Sequence, residues 1–222
     1  MIEIFTKGIS QLNDQRARKV VWISIFAATL VLAALWTGIG YLLTQTTFFS
    51  IWWLEWAIDF LGGLFTLVLT WFLFPAVISA VIGFYLDDIA DAVEARHYPN
   101  LPPTTGLPFS ATAAVTARFL AVMILLNLVL LVFLLLGPLF PFVFYAANGY
   151  LLGREYFELV ALRRVDVQTM RSMRRANRGQ LFIVGVIVMV LLTIPLANLL
   201  APVVATSAMV HLFEKIKNKP AI

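Results

Sequence analysis

The chain has 222 residues, 61% of them hydrophobic and only 13% charged, with a mean hydropathy of +0.91. That balance excludes an ordinary water-soluble domain and leaves an integral membrane protein with room for one helical membrane domain. The formal net charge of +4 is gathered into three Lys/Arg clusters, and the lack of Cys excludes disulfides, thiolate metal sites and Cys nucleophiles.

Residues 1–19 carry Lys7, Arg16, Arg18 and Lys19 immediately before the first apolar run. The positive-inside rule assigns this end to the cytoplasm. It is too charged for a signal n-region, and the run that follows is too long for an h-region, so an uncleaved anchor is expected. Residues 20–43, with Trp22 and Trp36 near their ends, would span roughly 35 Å as a helix at about 1.5 Å per residue. Residues 44–59 contain no Lys or Arg but do contain Phe48, Phe49, Trp52, Trp53 and Trp56, the composition of an aromatic belt at a membrane surface. Residues 60–86 form a second expected span, in which Pro75 should kink the helix without ending it.

Beyond residue 86 the pattern changes. Asp87, Asp91 and Glu94 recur at helical spacing, with Leu86, Ile89, Ala90 and Val93 on the opposite side, which predicts an amphipathic helix with a solvated acidic face. Pro99, Pro102, Pro103, Gly106 and Pro108 then mark a stiff loop. Residues 112–153 begin as a span containing the isolated cation Arg118, are broken at Gly137, Pro138 and Pro141, and continue as an apolar piece too short to cross. Residues 154–180 set Arg154, Arg163, Arg164, Arg171, Arg174, Arg175 and Arg178 against Glu155, Glu158 and Asp166, an excess of Arg expected on the cytoplasmic face.

Residues 181–213 contain no Asp, Glu, Lys or Arg, yet Pro195, Asn198 and Pro202 interrupt them, and Lys215, Lys217 and Lys219 follow. With basic residues on both flanks, this segment is expected to enter and leave by the same side, turning between Pro195 and Pro202. Prolines and a polar Asn at membrane depth are tolerated only where protein or a water-lined cavity surrounds them. The expected fold class is therefore all-α: two long transmembrane helices and two Pro-broken hairpins of shorter, partly penetrating helices, in one domain, similar to the half-helix architecture of transporters.

Enzymatic chemistry finds little support. Asp87-Asp88-Ile89-Ala90-Asp91 matches a DDxxD pattern that could hold Mg²⁺ on a diphosphate, but there is no second Asp-rich motif to complete an oxygen shell. His97 and His211 are far apart in sequence and lack HExxH spacing. No Walker lysine, dinucleotide-binding glycine motif or GxSxG appears. No cofactor, metal site, catalytic residue or nucleic-acid partner is expected. Gly149 and Gly153 form a GxxxG suited to close helix packing. The Arg-rich segment suits an anionic lipid, a polyanion or a small oxyanion, and broken helices can point unpaired N–H groups at such a ligand.

The run Ile194-Pro195-Leu196-Ala197-Asn198-Leu199-Leu200-Ala201-Pro202-Val203 resembles the Ile-Pro-Leu-x-Asn-Leu-x-x-Pro-Val signature of CysZ-type sulfate permeases, which group with the etoposide-induced membrane protein domain family. Looser similarity extends through Arg154-Glu155-Tyr156-Phe157-Glu158, Arg163-Arg164, Met170-Arg171 and residues 84–96. The resemblance implies a bacterial inner-membrane protein that assembles as a homo-oligomer and takes up sulfate for cysteine synthesis. It also implies a sulfate-binding basic pair at the entrance to helix one, here Arg18 and Lys19; Lys keeps the charge without the planar fork of Arg. On this reading Asn198 and the backbone beside Pro195 line the route, Glu155 forms a buried ion pair or gate with Arg154, and Arg118 is a further structural or gating cation. The alternative is a membrane scaffold that binds anionic lipid or a protein partner and transports nothing.

Overall fold

A computed structural model describes residues 2–45, 52–104, 109–194 and 197–218. Among the described residues the regular secondary structure is all helical, with no strand. In chain order the helices are α1 (Ile2–Ser10), α2 (Gln15–Gln45), α3 (Trp52–Phe84), α4 (Leu86–His97), α5 (Phe109–Phe133), α6 (Phe140–Ala161), α7 (Val167–Ala176), α8 (Arg178–Thr193) and α9 (Ala197–Lys217). Helices close every backbone hydrogen bond within one segment, which is the condition for crossing lipid as a single element. Phe48, Phe49, Gly106, Pro108, Pro195 and Lys219 lie outside the described residues.

Residues 18–85 form one compact body and residues 1–17 with 86–222 the other. In the first, hydroxyl side chains are absorbed by their own helix: Ser24 donates to the Val20 carbonyl at 2.8 Å, Thr29 to Ile25 at 2.8 Å and Thr66 to Gly62 at 2.7 Å. Such bonds let polar residues sit in an apolar helix without an unsatisfied donor. Trp36 Nε1 donates to Thr70 Oγ1 at 2.8 Å, and a Cβ at Gly62 would lie 3.1 Å from Leu43 Cδ1. Residue 36 thus meets residue 70 while residue 43 meets residue 62, so α2 and α3 run antiparallel where they touch. Both helices are long and apolar enough to cross a membrane, and only 22% and 12% of their apolar windows are buried within the protein. Phe26, Leu30, Phe65 and Trp71 are exposed, an outer surface suited to lipid chains. Helix α3 passes through Pro75 without ending.

The second body is built around α9. Its apolar window also meets the length and composition for crossing a membrane, but 83% of it is buried by protein. Every residue from Ala201 to Glu214 is buried. Helices α1, α4, α6 and α8 pack on it, and Val93, Phe157, Val160, Val184, Ala205, Met209 and Phe213 meet in the core. Ala201, Ala205 and Ala208 keep its surface narrow. Gly8 of α1 exploits this, since a Cβ there would stand 3.0 Å from the Val204 carbonyl oxygen. The closest approach is between α6 and α8, where a Cβ on Gly185 would overlap the Gly149 carbonyl and the Gly153 nitrogen. The GxxxG of α6 is therefore a packing surface that brings two backbones into contact.

The breaks sit near the expected positions, with altered extents. Between α5 and α6 a short 3-10 turn, Leu134–Leu139, contains Gly137 at φ +54°, a left-handed conformation that favours glycine. Helix α6 then continues to Ala161, well past the apolar stretch. Helices α7 and α8 meet at an 85° bend at Asn177. Helix α8 ends at Thr193, Ile194 is extended, and α9 has begun by Ala197. The turn is thus shorter than the Pro195 to Pro202 interval: Asn198 is in the first turn of α9 and Pro202 is inside the helix. Pro202 has no N–H to offer the Asn198 carbonyl four residues earlier.

Candidate functional site

The acidic face of α4 is exposed at Asp87, Asp88 and Asp91, as expected, and is also paired with arginines. Arg163, just beyond the end of α6, donates from Nη1 to the Asp87 carbonyl at 2.8 Å and to Asp87 Oδ1 at 3.1 Å, and from Nη2 to Asp91 and to Glu94 Oε2 at 3.4 Å. Arg164 takes the other side of Glu94, with Nε 3.2 Å from Oε1, and reaches the Pro102 carbonyl. Burial works against the charge of Arg163, but Glu94, Asp91 and Asp87 outweigh it and hold the guanidinium above its ordinary pKa. The DDxxD pattern therefore supplies ion-pair partners: two of its three aspartates bind Arg163, and the carboxylates face guanidinium groups instead of forming an oxygen cage.

A second cluster centres on Glu158. Arg154 Nε donates to Glu158 Oε1 at 2.8 Å, and Arg174 of α7 donates to the same oxygen. Arg154 and Glu158 are both buried and lie four residues apart on α6, the spacing that brings helical side chains together. Glu155, expected to be the buried partner of Arg154, is exposed. The bend that delivers Arg174 begins with Asp166, whose side chain accepts from the Gln168 and Thr169 N–H groups at 2.7 and 3.0 Å and caps α7. The Thr169 hydroxyl and these two N–H groups hold the Asp166 carboxyl below its usual range.

Beside this cluster, at the junction of α6, α7 and α8, lies a cavity of about 270 Å³ lined by Tyr150, Arg154, Arg174, Arg175, Arg178, Leu181 and Phe182. A narrower cleft, which shares Arg154 and Arg174 with this cavity, is also lined by Arg118, Glu158 and Arg171. The fold thus gathers Arg154, Arg174, Arg175 and Arg178 around one cavity, with Glu158 paired to the first two, an arrangement electrostatically suited to an oxyanion.

Of the residues expected to carry function, Arg118 and Arg154 share that cleft. Arg18 and Lys19 are exposed at the start of the α2 span, in the other body. Asn198 Oδ1 is buried and, among the described residues, has no hydrogen-bond partner. Pro195 lies outside the described residues. The parts sequence reading missed are Glu158 as the shared carboxylate and the convergence of Arg174, Arg175 and Arg178 with Tyr150. The Arg154–Glu158 spacing of four was the available signal for the first.

The two histidines, 114 positions apart, come together: the His97 and His211 rings are edge to face with centroids 4.8 Å apart, and the Tyr98 hydroxyl is 2.8 Å from His211 Nδ1. Among the described residues no group of three or more His, Cys, Asp or Glu side chains is placed to hold a metal ion.

A search among curated proteins gives no match. A family model described as Sulfate transporter CysZ/Etoposide-induced protein 2.4 matches residues 4–202, most of both bodies and the whole of the Ile194 to Pro202 run. The helical fold, the lipid-suited spans of α2 and α3 and this match agree, and the chain belongs to the Sulfate transporter CysZ/Etoposide-induced protein 2.4 family.

Proposed function

We propose that this multi-pass membrane protein is a permease or channel for a small oxyanion, with sulfate as the leading substrate and cysteine biosynthesis as the use of the imported sulfur. The observation that carries this reading is the family match over residues 4–202. Arg18 and Lys19, exposed where the first span begins, capture the anion at the cytoplasmic-side mouth. Asn198, with a buried and unpartnered Oδ1, lines the route beside Pro195. Arg118, Arg154 and Glu158 form the charged structural or gating element, with Glu155 at its exposed edge. The working form is a homo-oligomer in the bacterial inner membrane, with the exposed apolar surfaces of α2 and α3 meeting lipid or neighbouring copies.

Purified protein in proteoliposomes tests this with radiolabelled sulfate. Wild type should carry a flux that selenate or thiosulfate competes with, and the double variant Arg18→Ala/Lys19→Ala should reduce it at least about tenfold, the loss expected when two charge-assisted contacts are removed. Equal flux in the double variant would remove the capture role, and no flux in wild type would remove the permease reading.

A further inference from the structure

The cavity at the junction of α6, α7 and α8 has features that an ion route does not require. Arg174 is mostly buried and Arg154 almost wholly so, and Glu158 takes up one positive charge from the pair. Arg175 and Arg178 are exposed, and among the described residues neither has an acidic partner. Two uncompensated guanidinium groups therefore face the same 270 Å³ space as the Arg154–Glu158–Arg174 cluster.

The first turn of α8 adds to the positive potential. Asn177, at its N-cap position, spends its side-chain amide on the Met173 carbonyl at 2.9 Å, closing the end of α7 instead of capping α8. The opening N–H groups of a 16-residue helix are thus left without a side-chain acceptor. The other wall of the cavity is apolar. Phe182 is exposed, Leu181 forms the floor, and the next turns of α8 expose Ile183 and Val190. Within one helical turn the surface passes from Arg178 to Phe182, and no charged residue follows until Glu214. A cationic pocket opening onto an exposed apolar helix face matches a phospholipid, whose anionic phosphate and acyl chains occupy adjacent levels of a bilayer.

We propose that the cavity formed by Tyr150, Arg154, Arg174, Arg175, Arg178 and Phe182 is a binding site for an anionic phospholipid, with the phosphate held by the guanidinium groups and the first acyl chain lying along Phe182 and Ile183. Arg175 and Arg178 supply the discriminating charge, the Tyr150 hydroxyl offers a further donor at the rim, and the Arg154–Glu158–Arg174 cluster fixes the cavity wall. The site lies in the body that does not contain Arg18 and Lys19, and the assignment does not depend on anion flux.

The full-length protein in zwitterionic detergent, titrated with short-chain phosphatidylglycerol, short-chain phosphatidylcholine, inorganic phosphate and sulfate, tests this by native mass spectrometry and by shift in apparent Tm. Phosphatidylglycerol should be retained at least about tenfold more strongly than phosphatidylcholine, with a dependence on salt. Arg175→Ala/Arg178→Ala changes two exposed side chains; it should abolish that preference with the ligand-free Tm unchanged, while Arg18→Ala/Lys19→Ala should leave it intact. Equal retention of the two lipids by wild type, or an undiminished preference in Arg175→Ala/Arg178→Ala, would overturn the site. Binding of inorganic phosphate or sulfate that Arg175→Ala/Arg178→Ala abolishes, without any lipid preference, would overturn the lipid assignment in favour of a free-anion site.

Discussion

At the scale of single residues, two carboxylates are buried in shared ion pairs, while Asp87 and Asp91 stay largely exposed and Arg175 and Arg178 have no acidic partner among the described residues. Glu94 and Glu158 are each buried and each serve two arginines: Arg163 with Arg164, and Arg154 with Arg174. A buried carboxylate shared by two guanidiniums is costly to remove, because the cations remain in a poorly solvating environment. Glu158→Ala should therefore destabilise the protein by about 3 kcal/mol, within the range for breaking a buried pair from one side. Chemical unfolding in detergent micelles measures it; a change within about 0.5 kcal/mol, typical of a surface substitution, would show that solvent screens the cluster. Glu155→Ala, at an exposed position on the same helix, is the control and should be nearly silent. Arginine-rich composition was visible in the sequence, but the identity of each partner was not, because Arg163 and Asp87 are 76 residues apart and only the fold brings them together.

At the scale of elements, the second body depends on how closely its helices approach. Helices α6 and α8 cross at Gly149, Gly153 and Gly185, where a Cβ on Gly149 would stand 2.6 Å from Val186 Cγ2 and one on Gly185 would meet α6 backbone. A methyl against backbone cannot be relieved by rotating a side chain, so the helices must separate. Gly185→Ala should cost about 1–3 kcal/mol, the range for overpacking. Gly179, in the first turn of the same helix, has open space around its would-be Cβ, and Gly179→Ala should be neutral or stabilising by up to about 1 kcal/mol through helix propensity. Paired thermal melts decide this, and equal effects of the two substitutions would contradict the close crossing. Sequence reading located the GxxxG and the Gly137 break, since both are local signals. It overestimated the length of the last turn, placing Pro202 in the turn because a proline in isolation looks like a breaker; packing around α9 keeps it helical.

At the scale of the whole molecule, three helices among the described residues have the length and hydropathy of membrane spans, and their surroundings differ: α2 and α3 expose most of their apolar stretches, whereas α9 is enclosed by protein. By the positive-inside rule, the basic residues at the start of α2 and the arginines of α7 are both expected on the cytoplasmic side. Because the chain contains no Cys, single cysteines report this cleanly. Ser10→Cys and Ser172→Cys, both at exposed positions, should be labelled by an impermeant maleimide in inverted inner-membrane vesicles and protected in intact spheroplasts. Labelling of the two positions from opposite sides would break the same-side topology.

What the sequence determined by itself is what depends on sums over neighbouring residues: the membrane class, the all-helical character, the positions of the two long spans, the basic segments and the glycine and proline punctuation. Hydropathy and helical period are local quantities, so they survive without a fold. The tertiary structure alone decided which apolar helix is enclosed and which is exposed, which arginine meets which carboxylate, and that Arg174, Arg175 and Arg178 share a cavity with Tyr150. These are pairings between distant stretches of chain. The sequence had set this segment apart from the two long spans as a Pro-broken stretch in need of protein or a cavity around it, and the helices packed on α9 supply that enclosure and make it the core.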